Sequence, residues 1–437
     1  MACSKSFHRS EDFFSNVLDI VCDKILKHLP IWIAAQASVL SKRWRSAWLS
    51  LKKLNFDAYF WGADGRDYDW PKCSSIISSI LFHHNGPVHD FQLYIPTSTN
   101  WDGMNLSQWI CFLSKNGVRK IVITNCYRDI GFVDISPYIF RCSELVYLEL
   151  INGFYLNSRP TDFSGFPKLK HLLLVDIMFR NKNNFSTLIG SCKMLVTLKL
   201  VGWSGMDHVV IDAPRLQTLI LKGDFQSLAF RNVRSLESIS LHMYTWKQKL
   251  VFAKTVNAVN LLASSCQLRS MEFNGQLCKF LAGGGIMNST SVTFKHLDKL
   301  CLSNLNLNDF GVFDYLLSMI KCCPYIKTLD ISVSKNQMNP GENVDQHVFD
   351  FKYNYKLDHL RDVTIEGLMG STAELKFVEY LFAISVVLEN VFFKSGEPGV
   401  ETELKISRAL MALPRASPKA RLFSKRNRFG ANNHMSL

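Results

Sequence analysis

The sequence has no C-x-x-C pair, no apolar run long enough to span a bilayer and no apolar segment behind its first residues. Its twelve cysteines are scattered, and most sit in apolar stretches such as GSCKML and RCSELV. They read as reduced, buried residues of an intracellular protein, cytoplasmic or nuclear. A disulfide between the adjacent Cys322 and Cys323 would be an unusual use of them. The longest apolar run, FVEYLFAISVVL at 377–388, is too short for a membrane span and contains Glu379. The opening MACSKSFHRSEDFFSN has no signal-peptide core, so the sequons at Asn105, Asn184 and Asn288 read as chance matches.

Catalytic signatures are absent too. No P-loop, G-x-S-x-G, H-E-x-x-H or strand-borne G-x-G-x-x-G occurs. LAGGGIM at 281–287 lacks the Lys-Ser/Thr of a phosphate loop. His83, His84 and His89 have no suitably spaced Cys or carboxylate to complete a tetrahedral metal site. We therefore expect no catalytic residue, no cofactor and no metal.

What is present is a repeat. A six-residue pattern, apolar at positions one, four and six, recurs at VHDFQL (88), VRKIVI (118), LVYLEL (145), LKHLLL (169), LVTLKL (195) and LQTLIL (216). It continues at LESISL (236), LRSMEF (268), LDKLCL (297), IKTLDI (326), LRDVTI (360) and LENVFF (388). Positions four and six share one face of a short strand, and position five takes the other. One such strand cannot bury its apolar face alone, whereas stacked neighbours can, which gives an α/β solenoid with parallel strands. Helical spacing between strands, as in FSTLIGSC and FDYLLSMIKCC, fits this plan. An ordinary α/β sheet with right-handed crossovers is the alternative. The Asn or Cys that usually follows the third apolar position is mostly missing, so irregular repeats are expected.

Residues 12–51 differ. Leu18, Val21, Cys22, Ile25, Leu26 and Leu29 make one wide apolar stripe on a helix that Pro30 should end. IAAQASVLS suits a second helix, and SVLSKRWRSAWLSL a third within 40–53. On a helical wheel Leu40, Trp44, Trp48 and Leu51 face inward, opposite Lys42, Arg43, Arg45 and Lys53. Inward tryptophans cannot stack on bases or sit among lipid headgroups, which argues against nucleic-acid and membrane partners despite a net charge of +13. Three helices in so few residues make a unit expected to lean on a partner.

Residues 28–57, HLPIWIAAQASVLSKRWRSAWLSLKKLNFD, resemble the F-box of the plant F-box/FBD/leucine-rich-repeat proteins. The matching residues are Leu29, Pro30, Ser38, Val39, Leu40, Ser41, Lys42, Arg43, Trp44, Arg45 and Trp48. LFHHNGPVHDFQL (81–93) resembles the segment opening that family's repeats, and 360–393 with PRASPKA (414–420) resemble its FBD region. The resemblance implies a non-catalytic adaptor. The F-box would dock on Skp1, and through it a cullin–RING ubiquitin ligase (an SCF complex), while the repeats hold a protein substrate. Val17, Leu18, Val21, Ile25, Leu29, Pro30, Val39 and Trp44 would form the Skp1-facing surface or its support.

The implied layout is a disordered N-terminus at 1–11, a three-helix F-box at 12–56 and a linker at 57–73. A repeat horseshoe follows at 74–340, its first helix over 74–87 capping it with Ile76, Ile77, Ile80 and Leu81, then an FBD-like region at 341–423 and a basic tail at 424–437. The sequence departs from the family in three places. Val17-Leu18 replaces an opening Leu-Pro, Trp32 and Ile33 replace charged residues, and RLFSKRNRF stands where a closing strand is usual. These departures keep a second reading open: a repeat scaffold whose drifted F-box joins no ligase.

Overall fold

A computed structural model describes residues 19–61, 70–96, 104–126, 132–156, 160, 163–181, 184–244, 267–283, 293–334, 355–396 and 399–424. The chain divides into two compact units, Met1–Leu195 with Trp203–Gly205, and Val196–Gly202 with Met206–Leu437.

The first unit opens with helices α1 (Asp19–Leu26), α2 (Ile31–Ala37) and α3 (Lys42–Leu49). Strands β1 (Lys53–Phe56), β2 (Asp90–Ile95), β3 (Lys120–Asn125), β5 (Tyr147–Leu156) and β6 (His171–Phe179) then pair in that order, all parallel, with the short β4 (Val133–Asp134) on β5. Helices α4 (Trp70–His83), α5 (Leu106–Lys115) and α6 (Asn184–Ser191) lie between strands in sequence.

The second unit repeats the plan. Strands β7 (Thr197–Ser204), β9 (Thr218–Lys222), β11 (Ser238–His242), β12 (Ser270–Asn274), β13 (Lys299–Leu305) and β14 (Thr328–Val333) pair in sequence, followed by β15 (Asp362–Leu368), β16 (Asn390–Ser395) and β17 (Arg421–Ser424). β8 (His208–Asp212) and β10 (Ser227–Arg231) form a separate parallel pair. The helices are α7 (Gly275–Gly283), α8 (Phe310–Lys321), α9 (Thr372–Ile384) and α10 (Val400–Ala412).

The repeat pattern fixes the register. In all twelve hexamers the first, fourth and sixth residues are buried, from Val88, Phe91 and Leu93 to Leu388, Val391 and Phe393. Fourth positions pair with fourth and sixth with sixth: Ile121 with Leu148 and Ile123 with Leu150, later Val363 with Val391 and Ile365 with Phe393. A slip of one residue would turn every one of these side chains outward, so apolar burial holds the ladder in place. Between Glu366 and Leu368 the register shifts, and Gly367 takes up the irregularity with φ of 85°. A Cβ there would meet the carbonyl oxygen of Val333 at 2.5 Å, so the close approach excludes any other residue.

Both ends of the ladder differ from expectation. It opens at β1, before residue 74: Leu51, Leu54 and Phe56 of LKKLNF obey the hexamer and are buried. On α4, Ile77 and Leu81 are buried but Ile76 is exposed, so the inward face is narrower than the four-residue stripe expected. At the far end RLFS is a strand after all. β17 pairs with β16, Leu422 opposite Val391. Its hexamer runs Lys419, Leu422, Ser424, with one apolar position of three, which hid it.

The interruption at 335–354, the glycines after Gly283 in LAGGGIM, the first residues up to Leu18 and the tail from Lys425 lie outside the described residues. Among the described residues no helix is long and apolar enough to cross a membrane.

Candidate docking surface

The three N-terminal helices build a small core from Cys22, Leu26, Ile31, Ala34, Trp44, Ala47 and Trp48. α1 and α2 both pack on α3. The unit leans on its own chain: the Asn85 N–H donates to the Leu49 carbonyl at 2.7 Å, and the His89 N–H to that of Lys52 at 2.7 Å. These bonds tie the end of α3 to the first rungs of the ladder.

Helix boundaries sort the apolar residues. α1 stops at Leu26, three residues before the expected end, and the His28 and Leu29 N–H groups close tighter turns onto Ile25 and Leu26. The wide stripe therefore splits. Cys22 and Leu26 go inward, while Val21 and Ile25, one turn apart, stay about 40% and 41% exposed. Pro30 caps the start of α2 instead of ending α1, its fixed φ suiting that junction. α3 begins at Lys42, with the Ser41 hydroxyl accepting the Trp44 N–H at 3.3 Å.

Leu40 precedes that cap, so the helical wheel does not apply to it. It is 49% exposed instead of facing in with Trp44, Trp48 and Leu51. Val39 beside it is 75% exposed. Both lie in a turn held by bonds from the Val39 N–H to Gln36 and the Leu40 N–H to Ala37.

Of the residues expected to face or support a partner, Val21, Ile25, Pro30 and Val39 are exposed and Leu29 is half-buried. Trp44 is buried. Val17 and Leu18 lie outside the described residues. Trp32, at 44% exposure, and Leu40 join the surface. Trp32 was legible as an apolar residue in a charged position. Leu40 would have been found by reading Ser41 as a helix cap. Five large apolar side chains thus remain in water within twenty residues, an arrangement that marks interaction surfaces.

The strand faces opposite the core form a second surface. Lys299 and Asp330 pair at 2.8 Å, His242 and Glu272 meet at 2.9 Å, and the Asn390 amide donates to Asp362 at 2.8 Å. The His242 hydrogen bond pulls the Glu272 carboxyl down to about 2 against the opposing effect of burial. Cys301 lies opposite Asp330, and burial, then the Asp330 charge, push its thiol up to about 12. Burial likewise raises Cys142 and Cys278 to about 12 and Cys192 to about 11. These thiols stay protonated and unreactive at neutral pH. Cys322 and Cys323 are not joined by a disulfide. His83 bonds to the Ser79 carbonyl within α4, and no metal-holding cluster of His, Cys, Asp or Glu occurs among the described residues.

Residues 106–331 match the family model described as FBD-associated F-box protein At5g56370, LRR repeats. An F-box/FBD/LRR-repeat protein of Arabidopsis thaliana is 30% identical to the chain over 419 residues, covering 94% of this chain and 98% of the relative. The chain belongs to the plant F-box/FBD/LRR-repeat family. A second F-box/FBD/LRR-repeat protein of that plant is 25% identical, over 77% of this chain and 79% of its own length. A putative FBD-associated F-box protein, also from Arabidopsis thaliana, is 27% identical over 71% of this chain and 70% of its own. Within this F-box/FBD/LRR protein the strand ladder accounts for the repeats, and β15 to β17 carry the ladder through the region read as FBD-like.

Proposed function

We propose that this protein is the non-catalytic substrate receptor of an SCF-type ubiquitin ligase. The exposed apolar side chains of α1, α2 and the turn before α3 dock on a Skp1-like adaptor, and the polar strand face with its adjoining loops holds the protein to be ubiquitinated. The observation that carries the docking half is the set Val21, Ile25, Trp32, Val39 and Leu40, left in water beside a core that is already filled. Burying the part of each side chain that is still exposed contributes roughly 1 kcal/mol, which works against the entropic cost of association.

No bond chemistry is asked of the chain. A receptor of this kind raises the effective concentration of a substrate lysine near a charged conjugating enzyme.

The departures from the family at Val17-Leu18, Trp32 and Ile33 keep open the second reading, a repeat scaffold that joins no ligase. Co-expression with a Skp1-like adaptor separates the two. The receptor reading expects a complex with the full chain that is lost on deleting residues 12–51. The scaffold reading expects no complex with either.

A further inference from the structure

In each repeat the second residue lies just ahead of its strand, and backbone bonds stack these residues into a column. The Arg269 N–H donates to Glu237 at 2.8 Å, that of Asp298 to Arg269 at 2.9 Å and that of Lys327 to Asp298 at 2.8 Å. The column continues from Arg361 to Lys327 at 3.0 Å and from Glu389 to Arg361 at 2.9 Å. Beside its centre lies a pocket of about 350 Å³. Arg269, Lys295, His296, Asp298 and Lys327 line it, and the ring pair Tyr325–His359, with centroids 5.4 Å apart, lines it too.

The charges there do not cancel. Lys327 is 2.6 Å from Asp298, which pairs off that acid. Arg269 and Lys295 have no carboxylate at ion-pair distance among the described residues. Two imidazoles stand beside them. A guanidinium fork, an ammonium group and nearby imidazole donors suit a compact dianion with several acceptor oxygens better than a single carboxylate. The pocket is also roomier than a lone inorganic phosphate needs, so there is space for the group that bears it.

We infer that this pocket, at the N-terminal edge of β12 to β15, is a binding site for a phosphate monoester, borne by a phosphorylated side chain of a protein or by a free phosphate ester. A nucleic-acid backbone is disfavoured because it presents repeated phosphates and needs a continuous basic track. The column instead mixes signs, running Glu237, Arg269, Asp298, Lys327, Arg361 and Glu389, so acids interrupt any basic track. The site is independent of adaptor docking.

The test uses the full chain without any adaptor. Binding is measured to a degenerate peptide library carrying one central phosphoserine, phosphothreonine or phosphotyrosine, to the same library unphosphorylated, to phenyl phosphate and to a single-stranded RNA. Phosphorylated peptides should bind at least tenfold more tightly than unphosphorylated ones, and Arg269→Gln with Lys295→Gln should remove that preference. Lys115→Gln, an exposed cation in the other unit, should leave it unchanged. Thermal melts should match across variants, because all three side chains are on the surface. Phenyl phosphate binding as tightly as the peptides would support the same site with a free ester as its source. Binding that ignores phosphorylation, a double variant that binds like wild type, or RNA retention insensitive to the double variant would overturn the inference.

Discussion

The hydroxyl of Ser41 accepts the backbone N–H of Trp44 at 3.3 Å, and this bond marks the boundary between exposed Val39 and Leu40 and buried Trp44 and Trp48. It starts α3 at Lys42, so the two residues before the cap are left in a turn instead of on a helix face. Ser41→Ala should cost about 1 kcal/mol, the usual loss for a helix N-cap, and Ser41→Asp should restore most of it. Chemical unfolding of the three proteins checks the order.

Surface and support should separate under mutation. Ile25→Asp and Val39→Asp place a charge on residues that are 41% and 75% exposed, so thermal stability should stay within a degree or two while adaptor binding falls at least tenfold. Trp44→Ala should instead remove about 3–5 kcal/mol of stability, because it hollows the small core. Melting curves set beside adaptor titrations distinguish the two classes.

On α9 the fully buried Glu374 accepts three backbone N–H groups on one oxygen, from Met369 at 2.8 Å, Gly370 at 2.7 Å and Ser371 at 3.2 Å. It also closes a capping box, its own N–H donating to the Ser371 hydroxyl. Glu374→Ala would take the acceptor from three part-buried donors, at a cost of about 1–3 kcal/mol. Glu374→Gln keeps an acceptor and should cost less. Denaturant midpoints should rank wild type above Glu374→Gln above Glu374→Ala.

Acid should erase a contribution from Glu272. Its carboxyl is held at about 2 in the folded chain against an ordinary 4.5, mainly by the hydrogen bond from His242. A depressed folded value means that the contribution is complete above about 4.5 and lost as pH falls toward 2. Wild type should melt above Glu272→Gln at pH 6, with the gap closing progressively below pH 4.5. A gap that is constant with pH would remove the carboxylate from the account. The side chain is 37% exposed, so solvent screening keeps the gap modest.

Much of the ladder was legible because its hexamer repeats with period-two burial, and burial is a strong constraint on register. The ends were harder for a physical reason. Lys419 and Ser424 replace apolar residues on the terminal strand β17, so pairing there does not show as a pattern. β1 carries the full pattern in Leu51, Leu54 and Phe56 but follows α3 so closely that it reads as a helix end. On the docking surface, apolar spacing found the residues of α1 but not their division between core and water. That division depends on α1 stopping at Leu26 and on the way α3 covers Cys22 and Leu26, both properties of packing. The basic pocket was invisible because residues from Arg269 to His359 converge only once four rungs are stacked.

The most direct test of the central claim is the affinity of the purified full chain for a Skp1-like adaptor, measured beside the Ile25→Asp, Val39→Asp pair combined in one protein. The receptor account predicts a stable one-to-one complex with the wild-type chain, at least a hundredfold weaker binding by the double variant, and matching melting curves. A wild-type chain that fails to bind, or a folded double variant that binds equally well, would contradict it.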